Sequence, residues 1–499
     1  MENKQLKLGA AISYLSIALN LLSGLIYTPW MIQQIGQSQY GLYTLANSLI
    51  TLFIVDFGLS SATARYLSKY HAEGREEKAQ EILGAIYKLY LLIDAIVLIG
   101  LVIVYFFIDN IYSKLTPNEL LQFKVVYIIA ASFSVINLPF VTLNGVLTAY
   151  EKFIPLKSAD VIYRLLIIAS TAIALVLGGG LYAIVAVQAI VGIIVILFKL
   201  IAIRRTVPIK AKWGHNDKSL YKEIMGFSLW TTVATLAQRL IFNITPSILG
   251  ITANTAAIAV FGVVTTMESN TFTITSAING MFMPKISRIY SGTDNDKSIM
   301  PLMISVGKFQ FSIMSIIIVG FALLGKSFIN LWMGEQYSVA YYGILLVILP
   351  CLIYNSLQIA NTALTVQKKV NIQAGIVLGV GVINVILSFV FSSWWGVIGS
   401  CVSIFLAYSI RNIAYLVVHH KITGVNIPLF IKKCYFRLSV PMFGTLIFGI
   451  VLNKILCDAG WIRLVEKGFL IVLVYIVLML LFGLSNEDKV KVFRFLKKR

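Results

Sequence analysis

Residues 80–107 read QEILGAIYKLYLLIDAIVLIGLVIVYFF, and from Leu89 to Phe107 the only charge is Asp94. A helix rises about 1.5 Å per residue, so about 20 such residues cross a hydrocarbon core about 30 Å thick. The stretch shows no alternation of polar and apolar residues, which a barrel strand would need. In lipid the backbone has to satisfy its own hydrogen bonds, so the block is a membrane-spanning helix.

The same kind of block recurs along the chain. Spans fall near 8–30, 40–62, 80–107, 121–148, 158–178, 181–203, 223–247, 256–283, 301–325, 339–366, 371–392, 397–419, 438–457 and 467–484, about fourteen in all. The 499 residues are 58% hydrophobic and 12% charged, far from the roughly one quarter of charged residues in soluble domains. Lys4 and Lys7 precede the first block as they would a signal peptide. That block is too long for a cleavable segment and runs straight into the second, so it reads as retained. The fold class is therefore an all-α integral membrane protein.

A net charge of +20 would suit a nucleic-acid binder, but its distribution follows the membrane. With alternate loops assigned to the cytosol, about 30 of the 41 Lys and Arg lie on that side. Arg204, Arg205, Lys210, Lys212, Lys218 and Lys222 share one loop, and Lys489–Arg499 is basic again. Lys114, Lys326, Lys454, Arg463 and Lys467 fall outside. Both termini are thus expected in the cytosol of a multi-pass inner-membrane protein, with membrane lipids as neighbours and no nucleic-acid partner. Cys351, Cys401, Cys434 and Cys457 lack paired spacing, and His71, His215, His419 and His420 stand near cytosolic span ends without ligand partners. Neither set predicts a disulfide framework or a metal site.

An internal repeat sets the expected architecture. Asn144–Lys152 resembles Asn361–Lys369, an offset of 361 − 144 = 217, and Thr28-Pro29 recurs as Thr245-Pro246, again 217 apart. Gly180 matches Gly396, and Ser68-Lys69-Tyr70 matches Ser287 to Tyr290. Two six-helix lobes in parallel pseudo-repeat follow, over 1–205 and 223–420. An additional helix pair over 438–484 and a basic cytosolic tail over 485–499 complete the chain. Six is even, so both lobes enter the membrane in the same direction, with a transport site expected between them.

Polar stripes mark the spans that would line that site. The first carries Ser13, Ser16, Asn20, Ser23 and Tyr27 on one face, and the seventh Thr231, Thr232, Thr235, Gln238 and Arg239. The eighth runs from Thr265 through Thr275 and Asn279, and the tenth has Asn355, Gln358 and Asn361. Asn20, Thr235, Thr275, Asn279, Asn355 and Gln358 are the candidate lining residues; interhelical hydrogen bonding is the alternative use of such groups.

Charge inside a span is costly and marks a candidate for function. Asp56, Lys88, Asp94, Asp160, Arg164, Arg239, Glu268, Lys308 and Arg411 are so placed. Asp160 and Arg164, one turn apart, could neutralise each other. Arg239 and Glu268 lie on consecutive spans and could reach each other, as a structural pair or as a site in which Arg239 meets an anionic group. Arg411 is the next cation in the second half.

Three stretches resemble a known family. Asp56-Phe57-Gly58-Leu59 followed by Arg65, Trp332-Met333-Gly334-Glu335-Gln336-Tyr337, and Pro284 with Ser287 and Arg288 are similar to motifs of the Wzx-like (O-antigen/capsule-type) polysaccharide flippases. These belong to the multidrug/oligosaccharidyl-lipid/polysaccharide exporter superfamily. The resemblance covers nearly the whole chain. It implies no enzyme and no catalytic residue, but movement of a polyprenyl-diphosphate-linked oligosaccharide to the outer leaflet of the bacterial cytoplasmic membrane, alongside other polysaccharide-assembly proteins. Arg239, Arg411 and Arg164 are the candidates for the diphosphate, since Arg donates bidentately and stays charged. No cofactor is implied beyond coupling to H+ or Na+, for which Glu268 and Asp56 are the candidates. Members of the family carry Asp-Arg in the seventh span; here the pair is Gln238-Arg239, so the acidic neighbour does not carry over. A cation-coupled multidrug antiporter of the same superfamily and a membrane enzyme acting on lipid-linked sugars are the rival readings.

Overall fold

A computed structural model describes residues 12, 15, 17–19, 21–53, 56–213, 218–276, 282–292, 298–456 and 460–484. The described residues form helices and turns throughout. In the first half these are α1 (Thr28–Ile35), α2 (Gln37–Phe53), α3 (Leu59–Ala72), α4 (Glu76–Ile111), α5 (Pro117–Asn137), α6 (Thr142–Ala149), α7 (Phe153–Val176) and α8 (Gly180–Thr206). The second half contains α9 (Lys218–Phe242), α10 (Thr245–Thr252), α11 (Thr255–Ser276), α12 (Met283–Ser291), α13 (Met300–Met333), α14 (Ala340–Ile348), α15 (Cys351–Ser356), α16 (Gln358–Val366) and α17 (Val370–Ile422). Helices α18 (Arg437–Ile455) and α19 (Gly460–Leu478) follow.

Large apolar side chains stand bare on the outside: Phe106 is 74% exposed, Val176 78% and Ile462 85%. Such a surface is stable only where the solvent is hydrocarbon. Among the described residues nine helices are long and apolar enough to cross a membrane, ten with the bent pair Ala340–Ser356 and Gln358–Val366. This is a multi-pass membrane protein. The difference from fourteen has local causes. The first expected span lies partly outside the described residues, and the second leaves helical geometry at residues 56–58. Helix α9 is diluted by its Thr, Gln and Arg. Helix α17 counts once although it leaves helical geometry at Gly396 (φ 54, ψ −129), where the eleventh and twelfth expected spans meet.

Several of the matched sequence positions share backbone geometry. Helices α1 and α10 both open on Thr-Pro and both run eight residues; proline suits the first turn, where no N–H is needed. Glu151 (φ 55) and Lys368 (φ 60) are both left-handed and stand 368 − 151 = 217 apart, and Gly180 (φ 59) and Gly396 (φ 54) both have positive φ, 396 − 180 = 216 apart.

The chain divides into two compact units, residues 1–262 with 392–397 and residues 263–391 with 398–499. In the first, α3 packs on α6, α7 on α8, and α5 on both α2 and α8. The segment after α8 is strapped onto the start of α4. Lys212 N donates to Gln80 O at 3.0 Å, and its ammonium pairs with Glu77 at 2.6 Å and Glu81 at 3.6 Å. The hydrogen bond to Glu77 raises the pKa of the Lys212 ammonium. Gly84 permits this approach, since any Cβ there would strike the Lys212 carbonyl, and Trp213 stacks on Tyr87 with centroids 6.1 Å apart.

The second unit is built around α13, against which α15, α18 and α19 pack. Tyr475 donates to the Ser312 carbonyl at 2.9 Å. Lys467, expected in an outer loop, is 1% exposed because α19 begins at Gly460 and carries it inward. Its ammonium donates to Asn453 Oδ1 at 3.1 Å, and Asn453 Nδ2 donates to the Leu323 carbonyl at 2.8 Å. Polar bonds of this kind hold helices together where lipid removes the hydrophobic drive.

Candidate functional site

A polar cavity opens inside the first unit. Helix α5 ends at Asn137, and Pro139, which has no N–H to continue the ladder, lies in the 3-10 turn Leu138–Val141 that leads into α6. Asn137 and Asn144 thereby stand on either side of the bend and line one cavity of about 470 Å³. Helix α7 supplies Asp160, Tyr163 and Arg164, three and four residues apart and so on one face. Lys199, near the end of α8, completes the polar wall, and its ammonium donates to Asn144 Oδ1 at 2.9 Å.

The charges in this cavity do not cancel. Asp160 lies 3.7 Å from Lys157 and its charge also acts on Lys199, so the lining sets two cations, Arg164 and Lys199, against one acid. The Arg164 charge also acts on Tyr43, a half-buried phenol that accepts a hydrogen bond from Gln188. Arg and Lys amid amide and phenol groups can hold an anion and bind hydroxyl groups around it. Sequence reading identified Arg164 and Asp160 but passed over Lys199, which sits close to the end of its span. The place of Asn144 in the repeat was the available signal.

A second constellation surrounds the break in the second span. Asp56 lies between α2 and α3, followed by Phe57 (φ 50) and Gly58 (φ 66). Its carbonyl accepts from Leu59 N at 3.0 Å and its carboxylate from Ser60 N at 3.2 Å, so Asp56 takes up N–H groups of the first turn of a helix restarted within the membrane. Tyr90 donates to the same carboxylate. Helix α9 packs on α3, and the acid that acts on Arg239 is Asp56. Arg239 Nη1 is buried without a hydrogen-bond partner. The acidic neighbour missing at Gln238 is thus supplied in space by the first residue of the Asp56-Phe57-Gly58-Leu59 motif.

In the second unit Arg411 is 2% exposed. Its guanidinium lies 3.6 Å from the ring centroid of Tyr408 and 3.9 Å from that of Tyr354, and Nε has no hydrogen-bond partner. Such aromatic contacts stabilise a desolvated cation by about 2 kcal/mol. Glu268, half-buried on α11, is the carboxylate whose charge faces Arg411. Arg239 and Glu268, set together in the sequence reading, belong to different units, and the charges that act on them are those of Asp56 and Arg411.

Of the candidate lining residues, Asn20 and Asn279 lie outside the described residues. Thr235 is exposed on α9 and Gln358 is half-buried on α16. Thr275 and Asn355 are each 1% exposed, and Asn355 Nδ2 donates to Thr275 Oγ1 at 2.9 Å. That pair is an interhelical hydrogen bond in this structure, not an open wall.

The fold has close likenesses among solved structures. The lipid II flippase MurJ in an inward closed conformation aligns with a TM-score of 0.74 at 14% identity, over 94% of this chain and 97% of that one. An inward-facing multidrug resistance MATE family transporter of the MOP superfamily gives 0.70 at 13% identity, over 84% and 96%. A MOP superfamily transporter from Pyrococcus furiosus, described by the reverse polarity of its binding pocket, gives 0.60 at 13% identity, over 86% and 96%. No curated protein matches the chain by sequence. Residues 6–290 match the family model described as polysaccharide biosynthesis protein, and the chain belongs to that family.

Proposed function

We propose that this protein is a flippase that carries a polyprenyl-diphosphate-linked oligosaccharide from the cytosolic to the outer leaflet for surface polysaccharide assembly. The observation that carries this reading is the cationic polar cavity of the first unit, found in a chain of the polysaccharide biosynthesis family. A lipid-linked diphosphate must bring negative charge into a region of low dielectric, which only fixed positive charge can offset. Arg164 and Arg239 supply it with bidentate donors. Two tyrosine rings lie within 4 Å of the buried Arg411 guanidinium, so in this reading it balances Glu268 and does not grip phosphate. The amides and phenol beside Arg164 bind saccharide hydroxyls, the prenyl tail stays in lipid, and the two lobes alternate in access to either side. Glu268 and Asp56 are the acids through which H+ or Na+ would couple. One structural neighbour, a lipid II flippase, supports such a role.

The test is a deletion strain in which the leaflet holding the lipid-linked sugar and the sensitivity to cationic dyes are measured together. Sugar trapped in the cytosolic leaflet with unchanged dye sensitivity is expected. Arg164→Ala and Arg239→Ala should fail to restore export although the protein inserts. Normal surface glycan together with dye hypersensitivity would replace this reading by the antiporter.

A further inference from the structure

Asn144 and Asn361 are equivalent residues of the repeat, and each meets a basic side chain from the span two farther along. Asn144 Oδ1 accepts from Lys199 Nζ at 2.9 Å. Asn361 Oδ1 lies 2.9 Å from His419 Nε2. The bases keep nearly the spacing of the asparagines, 419 − 199 = 220 against 361 − 144 = 217. The same amide–base contact is therefore built twice, once in each unit.

The two copies differ in everything around the contact. Lys199 is half-buried and opens, with Arg164, onto the cavity of the first unit. His419 has 0% exposure and its ring lies against Tyr415, with centroids 5.7 Å apart and planes 11° from parallel. Gln373 donates to the Asn361 carbonyl at 2.6 Å from the other side. At the offset of the asparagines, Asp160 and Arg164 correspond to Val377 and Gly381, so the second copy has neither charge of the cavity wall. One copy is open and cationic; the other is sealed against solvent.

We propose that Lys199 and Arg164 form an anion-binding pair for a phosphate or carboxylate group of the cargo, with Asn144 as the residue that positions the Lys199 ammonium. Asn361–His419 is its sealed copy and binds no cargo. Lysine suits this role as a compact charge on a flexible stem that a single amide can aim, while Arg164 supplies the planar fork. Two cations against the single Asp160 carboxylate leave the lining net positive, and two separate donors fit the several oxygens of a diphosphate better than a single carboxylate. The inference rests on the reading that the cargo is anionic and adds the residues that meet its charge.

The experiment uses the full chain in detergent at low salt, with inorganic diphosphate and glucuronate as separate probes. Lys199→Met should weaken diphosphate binding by at least about tenfold, the scale of one charge-assisted hydrogen bond, while Lys199→Arg stays within about threefold of the native chain. Should Lys199→Met fail to fold, Lys199→Gln serves the same test. Asn144→Leu should weaken binding in the native background and have no further effect once Lys199 is Met, an outcome that a merely structural asparagine would not give. Loss of Lys199 should also make binding less sensitive to salt. Asn361→Leu and His419→Phe should leave affinity unchanged. Preference for diphosphate assigns the pair to the phosphate group, and preference for glucuronate assigns it to a sugar carboxylate. Binding of neither probe, native affinity in Lys199→Met, or equal loss in His419→Phe overturns the proposal. Surface glycan measured in the same variants separates the two readings. Lost probe binding with normal export keeps the site and removes the flippase role, whereas lost export with native probe binding removes the site.

Discussion

Thr255 donates to Glu119 Oε1 at 2.6 Å, and Ser38, its counterpart in the first half of the repeat, donates to the same oxygen at 2.7 Å. The other carboxylate oxygen accepts from Thr116 N at 2.9 Å and closes the capping box of α5. One side chain therefore ties the starts of α2, α5 and α11. Glu119→Ala should lower stability by about 1–2 kcal/mol, and Glu119→Gln by less because an acceptor remains. Thermal unfolding of the purified protein checks this; equal melting of the two variants would refute it.

Asp56 and Arg239 should show energetic coupling. Asp56→Asn and Arg239→Met are each expected to destabilise, and the double variant by less than the sum, with a coupling of about 1–3 kcal/mol. The same cycle between Arg239 and Glu268 should give less. A larger coupling to Glu268 would restore the pairing suggested by their consecutive spans.

Gly84→Ala should free the strap formed by Lys212 and Trp213. With the Lys212 carbonyl displaced, trypsin should cut after Lys212 faster and Trp213 emission should shift to longer wavelength as its stacking on Tyr87 is lost. Unchanged cleavage would mean that α4 gives way instead.

Lys212 and Glu335 are both exposed and are expected on opposite sides of the membrane. Single cysteines at these positions, in a background free of other cysteines, should react with an impermeant thiol reagent from opposite sides. Same-sided labelling would remove the topology derived from the basic loops.

The fold was legible because lipid leaves the backbone few choices and because matched sequence positions share bends. Thr28-Pro29 and Thr245-Pro246 identify the same helix start without any structure. Single charges in spans were legible as well, but not their partners. Asp56 and Arg239 are far apart in the sequence, and only the packing of α9 on α3 joins them. Lys199 escaped notice because closeness to a span end gives a lysine an ordinary explanation, snorkelling. Thr275 and Asn355 looked like wall residues because a polar stripe cannot say whether it faces water or another helix.

The matched left-handed residues Glu151 and Lys368 bear on how the chain tolerates change. Each half has kept the same costly backbone bend with a different side chain, so the geometry is constrained twice while the chemistry is free to diverge. A saturation library should therefore show one pattern of intolerance for proline and bulky substitutions, repeated in both halves. Its map of intolerance for charge loss should be lopsided, dense between residues 137 and 199 and sparse between residues 354 and 416. In such a chain the duplicated segment is inherited as scaffold, and selectivity can be rewritten in one copy without rebuilding the other.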